Sequence, residues 1–183
     1  MRAFLAFEVA EEVTARLLAA EEELKRTGAD MSMVGRDKIH FTVKFLGDVP
    51  EGAAAEIDAR IQRLELRSIE VAVRGVGVFP DLQRPRVVWA GVAPEDEDGM
   101  NKLSNSVIEA LDGIGRPDDH EFHAHITLAR VRGPRNKEAL ASYVRNSRAL
   151  DFGRTRIATL KLKSSVLTPS GPIYSDVREY AMR

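Results

Sequence analysis

Two short segments carry residue types that can move protons at a phosphodiester. His40 is followed two positions later by Thr42, and His125 is followed in the same way by Thr127. An imidazole titrates near neutral pH, so one ring can accept a proton from water while a second donates one to a leaving oxygen. Threonine hydroxyls can donate hydrogen bonds to non-bridging phosphate oxygens. Together these groups predict phosphodiester chemistry that needs no metal ion.

The two segments repeat within the chain. They lie 85 residues apart (125 minus 40), and each reads His-apolar-Thr-apolar. Side chains at positions i and i+2 of a strand share a face, so each histidine projects with its own threonine. A single pair of this kind is usually structural. A second copy near half the chain length favours a duplicated lobe whose two motif strands face one cleft.

A metal site is the alternative chemistry for these histidines. The chain has four histidines and no cysteine, and His123 and His125 would share one strand face. No carboxylate stands at a recognised ligand spacing, so we expect no metal and no other cofactor. The lack of cysteine also excludes a disulfide scaffold and a cysteine nucleophile.

Hydrophobic periodicity predicts the elements that position the two segments. The predicted strands are 2–9, 39–46, 69–79, 86–92, 124–131, 155–167 and 173–180. The predicted helices are 11–26, 50–66, 100–111 and 134–148. Their irregular alternation and hairpin-like pairs favour an α+β fold with antiparallel sheet over a doubly wound parallel sheet. Neither glycine-rich phosphate-loop motif occurs in the sequence.

Size and charge narrow the class of protein. A chain of 183 residues with 44% hydrophobic residues suits one domain or two small lobes, which excludes global disorder. The 27 Lys and Arg nearly balance 28 Asp and Glu, which argues against a DNA coat or a polybasic membrane binder. The first apolar run ends at Glu8, too early for a signal peptide, and no stretch approaches a bilayer span. We therefore expect a soluble, cytoplasmic protein.

Several residues near the motifs are candidates for contact with a nucleic acid. Arg130 lies five positions after His125, so it would face away on a regular strand, and a bulge or strand end would turn it toward phosphate. Lys38 and Lys44 share the alternation of His40 and could meet an RNA backbone. Phe41 and Phe45 are expected in the core. A separate basic run could line a positive cleft, and it comprises Arg154, Arg156, Lys161 and Lys163.

These residues resemble the two-histidine (2H) phosphoesterase superfamily. Within it, the chain is most similar to the RNA 2',3'-cyclic phosphodiesterase family, also called 2'-5' RNA ligases. The stretches that carry the resemblance are 1–7 (MRAFLAF), 40–47 (HFTVKFLG), 85–92 (PRVVWAGV), 122–130 (FHAHITLAR), 165–167 (SVL) and 171–174 (GPIY).

The resemblance implies one bilobal α+β domain spanning residues 1–183. Antiparallel sheets from two pseudo-symmetric lobes would form a central cleft, with helices packed outside. It implies hydrolysis of a 2',3'-cyclic phosphate RNA end to a 2'-phosphate, and reversible 2'-5' joining of RNA ends as a second activity. His40 would be the proton donor and His125 the proton acceptor, while Thr42, Thr127 and Arg130 would bind the substrate. We expect RNA ends or cyclic-phosphate nucleotides as partners, no membrane, and a monomer.

Two other functions stay open at this point. One is a 2H esterase for a small cyclic nucleotide or ADP-ribose cyclic phosphate, which turnover of a mononucleotide against a longer RNA would distinguish. The other is a non-catalytic RNA- or nucleotide-binding module. A pure binder has no need of two proton carriers, so the intact histidines favour an enzyme.

Overall fold

A computed structural model describes residues 1–117, 122–169 and 171–183. Its elements, in chain order, are β1 (Arg2–Phe7), α1 (Glu11–Arg26), β2 (Met31–Met33), β3 (Phe41–Asp48), α2 (Ala53–Ile61), β4 (Ile69–Phe79), β5 (Val87–Pro94), α3 (Glu97–Ala110), β6 (His125–Val131), α4 (Lys137–Asn146), β7 (Asp151–Ile157), β8 (Thr159–Thr168) and β9 (Gly171–Ala181). A 3₁₀ turn at Arg36–Lys38 precedes β3. The α+β prediction is confirmed.

The described strands form two antiparallel sheets. The four-stranded sheet has the order β3-β1-β8-β9, and the five-stranded sheet has the order β2-β6-β5-β4-β7. The hairpin β8–β9, from the second half of the chain, completes the sheet that β1 and β3 begin. The strands that follow or contain the two histidines, β3 and β6, contact each other between the sheets. The two lobes are therefore joined where the motifs lie.

The helices cover the sheets and bury their apolar stripes. Helix α1 packs on β6 and β7, α4 on β4, α3 on β3 and β5, and α2 on β9. In α1, Val13, Leu17 and Leu24 recur at helical spacing and are almost fully buried. Burial of such stripes fixes the outer face of each sheet, so the polar face of the motif strands is left for the cleft.

Three element predictions were wrong in detail. The single strand predicted over 155–167 is two strands, β7 and β8, which lie in different sheets. Strand-forming residues continue through Ile157, Ala158 and Thr159, and the sign of this break in the sequence is that the apolar alternation changes phase between Ile157 and Leu160. Helix α3 begins at Glu97 instead of 100, because the Asp96 side chain accepts a hydrogen bond from the Gly99 amide at 2.9 Å. Helix α2 is limited to Ala53–Ile61, within the predicted 50–66.

Candidate active site

The two motif histidines occupy matching positions on the motif strands. His40 directly precedes β3, and His125 is the first residue of β6. Both side chains are partly buried. A positive charge on His125 lowers the pKa of His40, so the two rings interact electrostatically. The structure thus brings together the two segments that the sequence places 85 residues apart.

Each imidazole is held by the backbone two residues before it. Nδ1 of His125 lies 2.7 Å from the carbonyl oxygen of His123. A carbonyl only accepts, so Nδ1 carries the proton and Nε2 is the nitrogen available for chemistry. The His40 ring likewise hydrogen-bonds to the backbone of Lys38, a contact that favours its charged form. His123 supplies this carbonyl, while its own side chain is exposed.

Aromatic rings fix the orientation of both imidazoles. His40 stacks on Phe4 with ring centroids 5.1 Å apart, and the edge of Tyr174 lies 5.5 Å away. His125 meets Phe79 edge-on at 5.0 Å and Trp89 at 6.5 Å. The sequence reasoning missed these aromatic walls.

The 85-residue repeat could have found part of them. Phe4 and Trp89 are separated by the same 85 residues (89 minus 4) as the two histidines. Each lies on the strand that pairs with its own motif strand. The repeat therefore marks an aromatic support beneath each imidazole.

Both motif strands contain a β-bulge at the same place. In β3, Thr42 pairs with Ala6 and Lys44 with Leu5, so Val43 is the extra residue. In β6, Thr127 pairs with Trp89 and Ala129 with Val88, so Leu128 is the extra residue. The two bulges are again 85 residues apart (128 minus 43). Each bulge inverts the alternation of side chains that follow it.

The bulges decide which residues share the face of the histidines. Arg130 pairs with Val87, which lies on the same face as Trp89, so Arg130 returns to the His125 side as the bulge hypothesis required. Its charge lowers the pKa of His125. Thr42 and Thr127 precede the bulges and keep the faces that the sequence predicts.

The same inversion overturns two predictions. Lys44 was expected beside His40, but it turns to the opposite face and is 4% exposed. Phe45 was expected in the core, but it is 60% exposed and its ring lies 5.8 Å from that of Phe4. Phe41 is fully buried, as predicted. The second residue after the bulge is thus the exposed aromatic Phe45 in one motif strand and the cation Arg130 in the other.

Burial weakens the proton affinity of both histidines. Desolvation, followed by the charge of Lys163, lowers the pKa of His40 to about 4, despite the hydrogen bond from the ring to Lys38. Desolvation also lowers the pKa of His125, with further lowering by His123 and Arg130. Both imidazoles are therefore neutral near pH 7 in the free protein, and an anion between them would favour their charged forms.

The basic run predicted as a positive cleft is neutralised in the four-stranded sheet. Lys163 Nζ lies 2.7 Å from Glu8 and 2.6 Å from Asp176, while Lys161 contacts Glu8, Asp176 and Glu179 at 2.7–2.9 Å. Burial raises the pKa of Glu8, but the two lysines outweigh it and hold that pKa below its usual value. These two lysines therefore do not form the positive cleft that the sequence suggested.

The other two members of that run also have partners. Arg154 pairs with Glu95, and Arg156 donates to the Ser68 hydroxyl. Lys38 is the last residue of the 3₁₀ turn before His40 and is partly exposed.

Within residues 1–117, 122–169 and 171–183, neither a metal-ligand cluster nor a helix able to cross a membrane is found. No set of three or more His, Asp or Glu side chains in this part of the chain is arranged to hold a metal ion. None of the helices described here is long and apolar enough to cross a bilayer.

Two antiparallel sheets that meet at paired His-x-Thr strands define a two-histidine phosphoesterase architecture. The family described as "LigT like Phosphoesterase" matches the chain twice, over residues 7–89 and 92–174. The chain belongs to this family. Each match contains one histidine motif, and each contributes strands to both sheets.

Curated relatives cover nearly the whole chain. One from Aeropyrum pernix, named RNA 2',3'-cyclic phosphodiesterase, is 36% identical over 90% of this chain and 93% of its own. One of the same name from Methanothermobacter thermautotrophicus is 35% identical over 100% and 99%. A crystal structure of a Thermus thermophilus protein matches with a TM-score of 0.81 and 29% identity over 100% of this chain and 98% of that one.

The fold also matches a more distant solved structure. Escherichia coli LigT complexed with 3'-AMP gives a TM-score of 0.76 at 21% identity, covering 99% of this chain and 97% of that one. This similarity is one of fold, over 99% of this chain.

Proposed function

We propose that the chain is an RNA 2',3'-cyclic phosphodiesterase that hydrolyses a 2',3'-cyclic phosphate RNA end to a 2'-phosphate. The observation that carries the proposal is the pair of His-x-Thr strands, β3 and β6, in contact with each other. Each histidine has the same backbone hydrogen bond and an aromatic support. The names of the curated relatives support the same activity.

The chemistry divides between the two histidines. His125 accepts a proton from water as the water oxygen bonds to phosphorus. The bond from phosphorus to O3' breaks, and His40 gives its proton to O3', which leaves the phosphate on O2'. Replacing water by the hydroxyl of a second RNA strand gives the reversible joining reaction. The assignment of donor and acceptor follows the resemblance, and microscopic reversal exchanges the two roles.

Three side chains on the same faces bind the phosphate. Thr42 and Thr127 donate hydroxyl hydrogen bonds to its non-bridging oxygens, and Arg130 adds a charge-assisted contact. These groups stabilise the charge that develops on those oxygens during the attack. The bulge at Leu128 is what puts Arg130 into this set.

The substrate must help to bring the two histidines into the protonation states that catalysis needs. A neutral imidazole suits the acceptor, but the donor must be charged. The negative phosphate opposes the effects of burial and of Lys163 on His40, so its arrival raises the pKa of that histidine. Substrate binding and charging of the donor are therefore coupled.

Exposed Phe45 favours an RNA end over a ligand without a base. The Phe45 ring contacts Phe4, which itself stacks on His40. The base of the nucleotide that carries the cyclic phosphate can therefore stack on Phe45. A small cyclic nucleotide also has a base, so it remains the second candidate substrate.

The experiment gives the protein an oligonucleotide with a 2',3'-cyclic phosphate end and a mononucleotide 2',3'-cyclic phosphate, both in EDTA. We expect the oligonucleotide product to gain one water and to carry the phosphate on O2', as read by mass and by ³¹P NMR. A 3'-phosphate product would contradict the assigned leaving group. Turnover of the mononucleotide with equal or higher kcat/KM would favour the small-molecule esterase.

A further inference from the structure

A surface cavity lies beyond the aromatic wall of His125. It has a volume of about 550 Å³ and is lined by β4, by the loop after it and by the end of α4. Trp89 forms its boundary with the candidate active site, since the indole lines the cavity and also contacts the His125 ring. The cavity is of the size that small-molecule sites usually have. None of the roles proposed above uses it.

The lining combines an apolar floor with two unpaired cations. Val78, Leu82 and Val144 contribute the floor, and Arg74 and Arg148 are exposed at the rim. Neither guanidinium has a hydrogen bond or ion pair with any other residue in the described ranges.

One acid also lines this cavity, and its carboxylate is hydrogen-bonded by amides of its own loop. Asp81 accepts hydrogen bonds from the amides of Gln83 and Arg84, both at 2.8 Å. The cavity therefore presents net positive charge over an apolar surface.

Strand register connects this cavity directly to the histidine. Gly91 pairs with His125 on one side and with Arg74 on the other. The three residues form a row across neighbouring strands, which puts Arg74 about 10 Å from His125 on the same face. The middle residue has no side chain, and the Trp89 ring borders the surface between them, 3.6 Å from where a Cβ at Gly91 would lie. A Cβ at Gly91 would lie 2.7 Å from the Arg74 carbonyl oxygen, which keeps this position a glycine.

The opposite sheet is a poor path for a polyanion. There, Lys161 and Lys163 are surrounded by the carboxylates of Glu8, Asp176 and Glu179. Three acids against two bases give this cluster a formal charge of −1. An RNA strand whose end lies between the histidines would therefore continue over the five-stranded sheet.

We propose that Arg74, Arg148 and the cavity between them bind the phosphate and nucleoside that precede the cyclic-phosphate end of a single-stranded RNA. The inference rests on the proposed function and names its substrate class as an RNA strand of two or more nucleotides. The guanidiniums contact the internucleotide phosphate. The apolar floor takes the nucleoside next to it.

The experiment compares Arg74→Gln, Arg148→Gln and the double variant with the unchanged protein. It measures kcat/KM for a cyclic-phosphate oligonucleotide and for a mononucleotide 2',3'-cyclic phosphate, and reports their ratio. We expect each substitution to lower this ratio about tenfold, the effect of losing one charge-assisted phosphate contact. Arg145→Gln is the matched control, because Arg145 is an exposed arginine of α4 outside the cavity. Its ratio should equal that of the unchanged protein.

Binding is measured separately, by fluorescence anisotropy with an oligonucleotide that ends in a 2'-phosphate. The proposal expects about tenfold weaker binding by each cavity variant. If the unchanged protein hydrolyses neither substrate, the proposed function fails, and the anisotropy result still decides this inference. A double variant with unaltered ratio and unaltered binding would overturn the cavity assignment and leave the hydrolysis proposal standing.

Discussion

At the scale of single residues, the proposed function depends on two histidines with matched surroundings. Each ring donates to a carbonyl two residues earlier and rests on aromatic neighbours, so each is oriented before any substrate arrives. Both identities and both threonines could be predicted from the sequence, since the period of a strand puts i and i+2 on one face. Their lowered pKa could not be predicted, because it depends on burial and on Lys163, distant in sequence.

The lowered pKa values predict an acidic optimum for kcat/KM. Catalysis needs one neutral and one charged imidazole, and this form is most abundant midway between the two pKa values. Both lie below the ordinary 6.5, and that of His40 is about 4, so the maximum should fall below pH 6.5. The cyclic phosphodiester stays a monoanion over this range. A profile of kcat/KM from about pH 3.5 to about pH 8 tests this, and a maximum at or above about pH 7 would contradict it.

At the scale of elements, the paired bulges could not be predicted from the sequence. Without them, alternation places Lys44 beside His40 and turns Arg130 away from His125, and both statements are wrong for the folded chain. Val43 and Leu128 are ordinary strand residues, so neither local sequence marks a bulge. The break at Ala158 between β7 and β8 is marked only by a change of phase, because Ile157 and Leu160 lie three positions apart in a continuous run of strand-forming residues.

A substitution in the loop after α3 should lower stability strongly, because this loop packs against the strand that follows His40. Gly115 has φ +72, and a Cβ there would lie 2.2 Å from the carbonyl oxygen of Leu46 in β3. Gly115→Ala should therefore lower the free energy of unfolding by at least about 2 kcal/mol in chemical denaturation. Gly52→Ala is the control, because φ there is −72 and no atom lies within 4 Å of the new Cβ. Its effect should stay within about 0.5 kcal/mol, and equal effects of the two substitutions would contradict the packing described.

Charge distribution matters more than net charge for the whole molecule. The formal net charge is −1, yet the cations facing a substrate, Arg74, Arg130 and Arg148, lie on the five-stranded side or its rim. The acids that balance them include Glu8 and Asp176 of the opposite sheet. Composition alone therefore gave a weak argument against nucleic acid, because it does not show that Glu8 and Asp176 gather around the lysines of the four-stranded sheet.

Three arginine contacts predict a moderate salt dependence. Each phosphate contact on a single strand contributes a slope of about −0.7 in a plot of log affinity against log salt, so three give about −2. Oligonucleotide KM measured across a range of KCl concentrations tests this value. The mononucleotide, which reaches only Arg130, should show a slope of about −0.7. Equal slopes for the two substrates would contradict the extended path over the five-stranded sheet.

The two-histidine mechanism is tested most directly by hydrolysis of a cyclic-phosphate oligonucleotide in EDTA by His40→Ala and His125→Ala. Each loses one proton-transfer step, so each should lower kcat at least about a hundredfold. Thermal unfolding and circular dichroism should match those of the unchanged protein, which separates lost chemistry from lost folding. The account predicts loss of activity in both folded variants with EDTA present. Near-normal activity in either folded variant would contradict it.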